Sequence, residues 1–172
     1  MKRRFSSTAV LILLALASVS ALSSPGLAAD GGPVLGVHAI RIDDDLLQVA
    51  NSGGFTWLIQ LLEWREVEPA PGEYFWEYPD WLVRAAEYYD LELVLRLDHP
   101  PDWALTGESG LPVDAAAYAS FVERVAARYR GRVNAYVIWN EPNLAVVWDG
   151  QPPEPEGYVH LLCAVQAAVQ RV

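Results

Sequence analysis

The feature that most constrains the fold is a fourfold alternation of short apolar runs with amphipathic helical stretches. The apolar runs are rich in β-branched and aromatic residues, and a capping Asp or an initial Pro marks the start of each helical stretch. The predicted strands are 34–40, 56–62, 91–97 and 133–138, and the predicted helices are 43–50, 79–89, 114–130 and 155–172. Strands that alternate with helices over short loops predict an α/β fold with a parallel sheet and right-handed crossovers.

The far end of the chain adds an expectation about size. The last predicted helix has no C-terminal glycine, and the chain finishes within its apolar pattern. A sheet of four parallel strands also has two unpaired edges, which proteins usually cover. We therefore expect this chain to be the first half of a larger unit.

The fourth apolar run ends abruptly in a polar pair, Asn140 and Glu141. Pro142 follows at once, and because proline has no N–H to donate, it directs the chain out of the sheet. A carboxylate is thereby predicted at the carboxyl end of a buried strand, where α/β folds keep their chemistry. We interpret Glu141 as an acid/base group; the alternative is a glutamate that caps a helix or lies on a surface loop.

The first 29 residues have the pattern of a removable export signal. Lys2, Arg3 and Arg4 precede an apolar run over 9–17, and small residues lead to a cleavage site after Ala29. The run is too short to span a bilayer comfortably, so an uncleaved anchor is the lesser alternative. We predict a signal peptide at 1–29, a single domain over 30–172, and a secreted, periplasmic or extracellular location.

Charge and residue usage exclude several classes of function. The whole chain carries a formal charge of −10, and removal of the basic leader makes it more negative, so nucleic acid is an unsuitable partner. The only lysine, Lys2, lies in that leader, which excludes Schiff-base chemistry in the mature domain. Cys163 is the sole cysteine, and no Cys/His cluster has zinc spacing, so no metal or other cofactor is expected.

Three segments at predicted strand ends resemble clan A glycoside hydrolases, with families 39, 42 and 5 the most similar. Segment 64–76 resembles the loop after their second strand, 97–104 resembles the end of their third strand, and 139–143, which reads Trp-Asn-Glu-Pro-Asn, resembles their fourth-strand signature. This resemblance implies a (β/α)₈ TIM barrel that hydrolyses O-glycosidic bonds of a polysaccharide or oligosaccharide with retention. It assigns the general acid/base to Glu141 and the contact to the sugar 2-hydroxyl to Asn140.

The chain departs from this family in one important respect. The family's nucleophile is a second glutamate after strand seven, about 5–5.5 Å from the acid/base. This chain has only four β/α units, and such a barrel typically needs about 250 residues. We therefore expect a half barrel that lacks the nucleophile, with little or no hydrolysis by the chain alone.

Further candidates for substrate binding flank these strand ends. His99 could bind sugar hydroxyls or be held as a loop residue, with equal weight on the two interpretations. Trp64 could form a wall on which a sugar stacks, and plain packing is nearly as favoured. For Trp148 a subsite platform is favoured over packing. His38 could face the same mouth, but a core histidine is the somewhat favoured interpretation.

Three functions fit this sequence. The first is the front part of a secreted retaining glycosidase, which is favoured. The second is a non-catalytic carbohydrate-binding remnant. The third is a half barrel that associates with itself or with another chain and so covers its exposed sheet edges.

Overall fold

A computed structural model describes residues 34–106, 113–148 and 150–172. Four strands alternate with helices in the order that the sequence predicts. The elements are β1 (Gly36–Ala39), α1 (Asp44–Ser52), β2 (Trp57–Glu63), α2 (Trp64–Val67), α3 (Glu77–Tyr88), β3 (Glu92–Asp98), α4 (Ala115–Arg128), β4 (Ala135–Ile138) and α5 (Pro155–Val169). Short 3₁₀ turns cover Asp102–Ala104 and Ala145–Trp148. The predicted signal peptide lies outside the described residues.

The strands form one parallel sheet in the order β1-β2-β3-β4. The predicted α/β fold class is confirmed. Within the described ranges, β1 and β4 each have one neighbouring strand. The expected self-association through these edges stays a prediction. None of the described helices is both long enough and apolar enough to span a membrane.

Local signals explain where several helices begin and end. The Asp43 carboxylate accepts the Leu46 N–H at 2.9 Å, and the Asp114 carboxylate accepts the Ala116 and Ala117 N–H groups at 2.8 and 3.0 Å. After α4, Gly131 has φ +73°, a left-handed conformation that costs glycine little. The predicted Asp caps are confirmed, and Gly131 follows the predicted helix 114–130 as its C-terminal stop.

The sheet has one closed face and one open face. Helices cover the first, where the strand residues are almost completely buried: Leu58, Gln60 and Leu62 in β2, Leu93, Leu95 and Leu97 in β3, and Tyr136 and Ile138 in β4. In-register partners point to the same side, so His38, Ile59 and Arg96 belong to the opposite face. We call this second side the open face, and it carries most of the candidate functional residues.

The structure corrects some details of the prediction. β1 is shorter than expected, and Val34 and Ile40 at its flanks are largely exposed because β1 has a single strand neighbour. The helical spacing of Tyr88 from Trp81 and Ala85 predicts the inner side of its helix, but Tyr88 is 83% exposed at the last turn of α3. The apolar helical stretch around Cys163 predicts a small buried side chain, but Cys163 is exposed.

Candidate active site

The site lies at the carboxyl end of the sheet, where β3 and β4 both end in left-handed backbone. His99, just after β3, has φ +54°, and Trp139 and Glu141, just after β4, have φ +67° and +44°. Residues with side chains rarely adopt this conformation, and where it persists the surrounding structure must hold it. Such residues cluster at functional sites, which supports a site at this edge.

Three hydrogen bonds connect the ends of β3 and β4. The Trp139 N–H donates to the Leu97 carbonyl at 3.1 Å and lies 3.3 Å from the Tyr118 hydroxyl oxygen, which also accepts from it. The Tyr118 hydroxyl in turn donates to the Leu97 carbonyl at 2.7 Å. Tyr118 is completely buried, and this burial raises its pKa well above the ordinary value, so it stays a neutral donor.

A second tyrosine holds β4 from the side of α5. The Tyr158 hydroxyl donates to the Ile138 carbonyl at 2.9 Å. The residues after β4 are held as well, because the Leu144 N–H donates to the Glu141 carbonyl at 2.9 Å. Helices on the closed side of the sheet therefore fix the backbone that presents Asn140 and Glu141.

Asn140 and Glu141 are neighbours in the chain but differ in exposure and in hydrogen-bond partners. Asn140 is half-buried, and its Oδ1 accepts from Arg96 Nη1 at 3.3 Å. Its Nδ2 lies 3.5 Å from Glu141 Oε2, while Glu141 itself is exposed. With Oδ1 engaged by Arg96, the Asn140 amide directs its N–H donors away from the guanidinium.

Arg96 is a functional candidate that the sequence analysis did not identify. Its Nη1 also contacts His38 Nε2 at 3.2 Å, and its buried Nε has no hydrogen-bond partner among the described residues. Arg96 is the one charged residue of the apolar stretch 93–97, at the alternating position shared with Val94 and Asp98. That break in the apolar pattern is the signal that could have revealed it.

His38 lies on the open face and is exposed, so the expected core position is wrong. Partial burial and the adjacent Arg96 guanidinium lower its pKa below the ordinary value. A neutral imidazole beside Arg96 can accept a hydrogen bond from the guanidinium.

Asp98 and His99 form a second pair at the end of β3. The His99 N–H donates to Asp98 Oδ1 at 2.7 Å, and His99 Nδ1 lies 3.8 Å from Asp98 Oδ2. Asp98 is only 8% exposed, and this desolvation raises the pKa of its carboxyl. The His99 ring is partly exposed, so it is available to a ligand at the same edge as Asn140.

The structure corrects the stacking wall expected at Trp64. This indole has no exposed surface, stacks on Phe121 at 5.1 Å between ring centroids, and donates from Nε1 to Glu68 Oε2 at 2.8 Å. A ring enclosed in this way has no face to offer a sugar. Packing, the alternative that the sequence left open, is the role of Trp64.

The subsite platform expected at Trp148 is corrected for the same reason. Trp148 is 1% exposed, and its Nε1 donates to the Pro142 carbonyl at 2.7 Å. An indole that bonds the residue after Glu141 supports the backbone there and does not present a face to a ligand. From the sequence alone, the Trp148 indole in its predicted loop could face either a ligand or the protein interior.

Comparison with known proteins identifies the fold. No protein-family model and no curated protein sequence matches the chain. Among solved structures, it resembles a family 39 glycoside hydrolase from the gut symbiont Bacteroides cellulosilyticus WH2, with TM-score 0.66 and 24% identity over 80% of this chain and 29% of that one.

Two further solved structures are similar. An endo-glycoceramidase II from Rhodococcus sp. matches with TM-score 0.64 and 19% identity, over 81% of this chain and 47% of that one. A GH10 endoxylanase retrieved from a sugarcane soil metagenome matches with TM-score 0.59 and 18% identity, over 81% of this chain and 45% of that one. The chain therefore has the β/α fold of TIM-barrel glycoside hydrolases and spans less than half the length of each of these neighbours.

Proposed function

We propose that this chain supplies the acid/base side of the active site of a retaining glycoside hydrolase, with Glu141 as the general acid/base. The observation that carries the proposal is the Asn140–Glu141 pair at the end of β4. Arg96 holds the Asn140 amide, and left-handed backbone on both sides of Asn140 directs the pair. The three segments that resemble clan A enzymes support the same assignment.

The chemistry requires one carboxyl group to exchange a proton twice. Protonated Glu141 would donate its proton to the glycosidic oxygen as the bond to the leaving group breaks. The resulting carboxylate would then accept a proton from the water that hydrolyses the glycosyl intermediate. Glu141 is exposed at the end of the sheet, so a glycosidic oxygen can reach its carboxyl group.

Asn140 and His99 are proposed to bind the sugar. Because Asn140 Oδ1 already accepts from Arg96, its Nδ2 can donate to a sugar hydroxyl, and this contact would strengthen as the oxocarbenium-like transition state forms. His99 is oriented by its backbone bond to Asp98 and presents a partly exposed ring at the same edge.

A retaining mechanism also needs a nucleophilic carboxylate, and we assign that role to no residue of this chain. The resemblance to clan A enzymes places it after a seventh strand. The proposal therefore concerns one side of a site that further β/α units would complete. The predicted signal peptide at 1–29 adds export to the proposal, so the glycan substrate would be met outside the cytoplasm.

The test is the substitution Glu141→Gln in the polypeptide that carries this chain, assayed on aryl β-glycosides with good and poor leaving groups. General acid catalysis contributes about 10²–10⁴-fold. We expect a loss of about that size in kcat/KM on a poor leaving group such as 4-methylphenol. We expect a much smaller loss on 2,4-dinitrophenol, which leaves without protonation. Azide should restore turnover of the dinitrophenyl substrate, because it needs no deprotonation to attack the glycosyl intermediate.

The matched control is Glu73→Gln, which removes an exposed glutamate of the loop between α2 and α3. It should leave both rates unchanged. Equal losses on both substrates for Glu141→Gln, or no loss on either, would rule out the acid/base role.

One observation favours a second candidate, carbohydrate binding without turnover. The sugar-binding candidates Asn140, His99 and Arg96 lie together at one edge of the sheet, whereas no nucleophile is assigned in the chain. This candidate predicts that cellobiose shifts the NMR signals of Asn140, His99 and Arg96, and that Asn140→Ala removes the shifts. Shifts without any hydrolysis by the complete polypeptide would favour it over the first.

A further inference from the structure

A groove outside the candidate active site runs along α3 on the side that faces α1. Its wider part, about 960 Å³, begins at the end of β2 and is lined by Phe75, Tyr78 and Trp81 among others. A narrower part of about 350 Å³ continues past Tyr88 and reaches Asp44 at the start of α1. Trp81 and Arg84 line both parts, so the two form one continuous depression.

The aromatic residues of the groove follow a helical stripe. Tyr78, Trp81 and Tyr88 occupy positions i, i+3 and i+10 of α3, which lie on one side of a helix. Ten residues of helix rise by about 15 Å, so the stripe is longer than one monosaccharide. The groove therefore suits a chain of several sugar rings better than a single small molecule.

Two of these rings are open to a ligand. Phe75 is 60% exposed and Tyr88 is 83% exposed, and neither is held in the hydrophobic core. Tyr78 is less available, because the Arg41 guanidinium lies 3.6 Å from its centroid and Trp81 stacks against it at 5.5 Å. Exposed aromatic faces at the two ends of the groove, with a fixed aromatic pair between them, are typical of surfaces that stack flat apolar faces.

Charged side chains along the groove remain free to bind. Arg84, Asp44 and Glu77 make no hydrogen bond and no ion pair within the described ranges, although the charge of Arg84 also helps to lower the pKa of Asp80. Arg84 offers only donors, whereas the two carboxylates offer only acceptors. A sugar hydroxyl is both donor and acceptor, so this mixed set matches the hydroxyl edge of a pyranose.

The charges along the groove favour neutral saccharides over anionic ones. Arg41 is already paired with Glu66, and Arg65 with Glu63. Arg84 thus stands against two free carboxylates, in a chain whose formal charge is −10. Carboxylated or sulfated sugars would be repelled.

We propose that the groove along α3 is a second carbohydrate site that binds a neutral oligosaccharide. The choice of a saccharide rests on the proposed function, in which the chain belongs to a glycan-acting protein. None of the groove-lining residues belongs to β3, β4 or the loops that follow them. The site would hold a glycan chain beside the Asn140–Glu141 edge and take no part in bond cleavage.

The test is a titration of the full chain with cellohexaose and with xylohexaose, followed by ¹H–¹⁵N NMR. We expect at least one of them to shift the Trp81 indole N–H signal together with the backbone signals of Arg84 and Tyr88. Arg84→Gln should weaken binding about tenfold, because it removes charge-assisted hydrogen bonds. Phe75→Ala and Tyr88→Ala should each weaken it about threefold to tenfold through lost stacking, whereas Tyr88→Phe should bind normally.

Controls separate this site from the active site. Arg130→Gln removes the same charge from an exposed position after α4 and should leave binding at the groove unchanged. Glu141→Gln and Asn140→Ala should also leave it unchanged, even if the acid/base assignment fails. Failure of both hexasaccharides to shift groove signals would overturn the proposal. Tighter binding of hexagalacturonate, or groove variants that bind as tightly as the wild type, would overturn it equally.

Discussion

The two faces of the sheet differ in what their residues do, although they alternate along the same strands. On the closed face, Leu58, Leu95 and Leu97 are completely buried beneath the helices. On the open face, His38 and Arg96 interleave with the partly buried Ile59 and Val137. The main hydrophobic core therefore lies on one side of each strand. The polar side chains of the site lie on the other side, together with the buried Leu61 and Val94.

This division explains why the candidate site can hold so many polar groups. Arg96 contacts His38 and Asn140 without entering the apolar core, and Asp98 reaches the same edge of the sheet. Among the described residues of the closed face, the buried polar residue is Gln60, which accepts from the Ile42 N–H at 3.1 Å and donates to the Leu61 carbonyl at 2.8 Å. A polar group on the closed face is satisfied by backbone, whereas those on the open face contact one another.

The difference between the two faces is tested most directly by truncating two neighbouring residues of β2 whose side chains point to opposite faces. Leu58→Ala should lower the free energy of unfolding by about 2–5 kcal/mol, because it leaves a cavity under the helices. Ile59→Ala should cost only about 1 kcal/mol, because its side chain is already partly in contact with water. Urea unfolding of both variants, with unchanged m-values, measures the difference. Equal costs would show that the open face is covered in solution.

A smaller loss of stability is expected when a hydrogen bond from the helices of the closed face to the strand ends is removed. Tyr118→Phe removes the hydroxyl that links the ends of β3 and β4 from the closed side, and we expect a loss of about 1–2 kcal/mol. Tyr158→Phe removes one bond to the Ile138 carbonyl from a half-buried position and should cost about 0.5–1 kcal/mol. Urea titrations give these values.

Tyr118→Phe also tests whether the closed side positions the site. Tyr118→Phe should shift the NMR signals of Trp139, Asn140 and Glu141, because the Trp139 N–H loses one of its two acceptors. If Tyr118→Phe destabilises the protein but leaves those signals in place, the hydroxyl supports the fold alone.

The closed face was the more predictable of the two from sequence. Apolar runs and helix caps such as Asp114 indicate the order of elements, since burial under helices demands continuous hydrophobic strands. The place of Glu141 just after the fourth strand was equally readable, because the apolar run gives way to a polar pair and to Pro142, which cannot donate a ladder hydrogen bond. Both predictions depend on short-range constraints that act within a few residues.

The side-chain environments at the site could not be predicted in this way. Trp64 and Trp148 are apolar enough to stack on a sugar or to fill a core, and only tertiary packing decides between the two. Arg96 was overlooked because its partners, His38 and Asn140, are 58 and 44 residues away along the chain. The charge in an apolar run was visible, but its partners were not.

The smallest expected effect is on the pH dependence of folding stability. Its sign should be opposite for Asp98 at the site and for Asp80 on the outer surface. Burial raises the pKa of Asp98 at the site, whereas the hydrogen bonds from Arg128 lower the pKa of Asp80, on the outer surface between α3 and α4. A raised carboxyl pKa means that the folded state binds more protons than the unfolded state. The Asp98 contribution therefore favours folding at low pH and is lost as the pH rises from the ordinary value of 3.8 through the folded pKa. The Asp80 contribution is present above 3.8 and is lost as the pH falls through its lowered folded pKa.

Asn substitutions separate these contributions. Asp98→Asn removes the cost of burying a charge and keeps an oxygen for the His99 N–H, so it should match or exceed wild-type stability at pH 7 and lose that advantage near pH 3.8. Asp80→Asn should be less stable than wild type at pH 7, because it weakens the bonds to Arg128 and Tyr129, and the difference should narrow as the pH falls below 3.8. Urea unfolding at a series of pH values gives both curves. If both variants are less stable than wild type at pH 7, the Asp98 carboxylate is stabilised in the folded state. The surroundings of Asp98 are then more strongly solvated or more positive than its burial indicates.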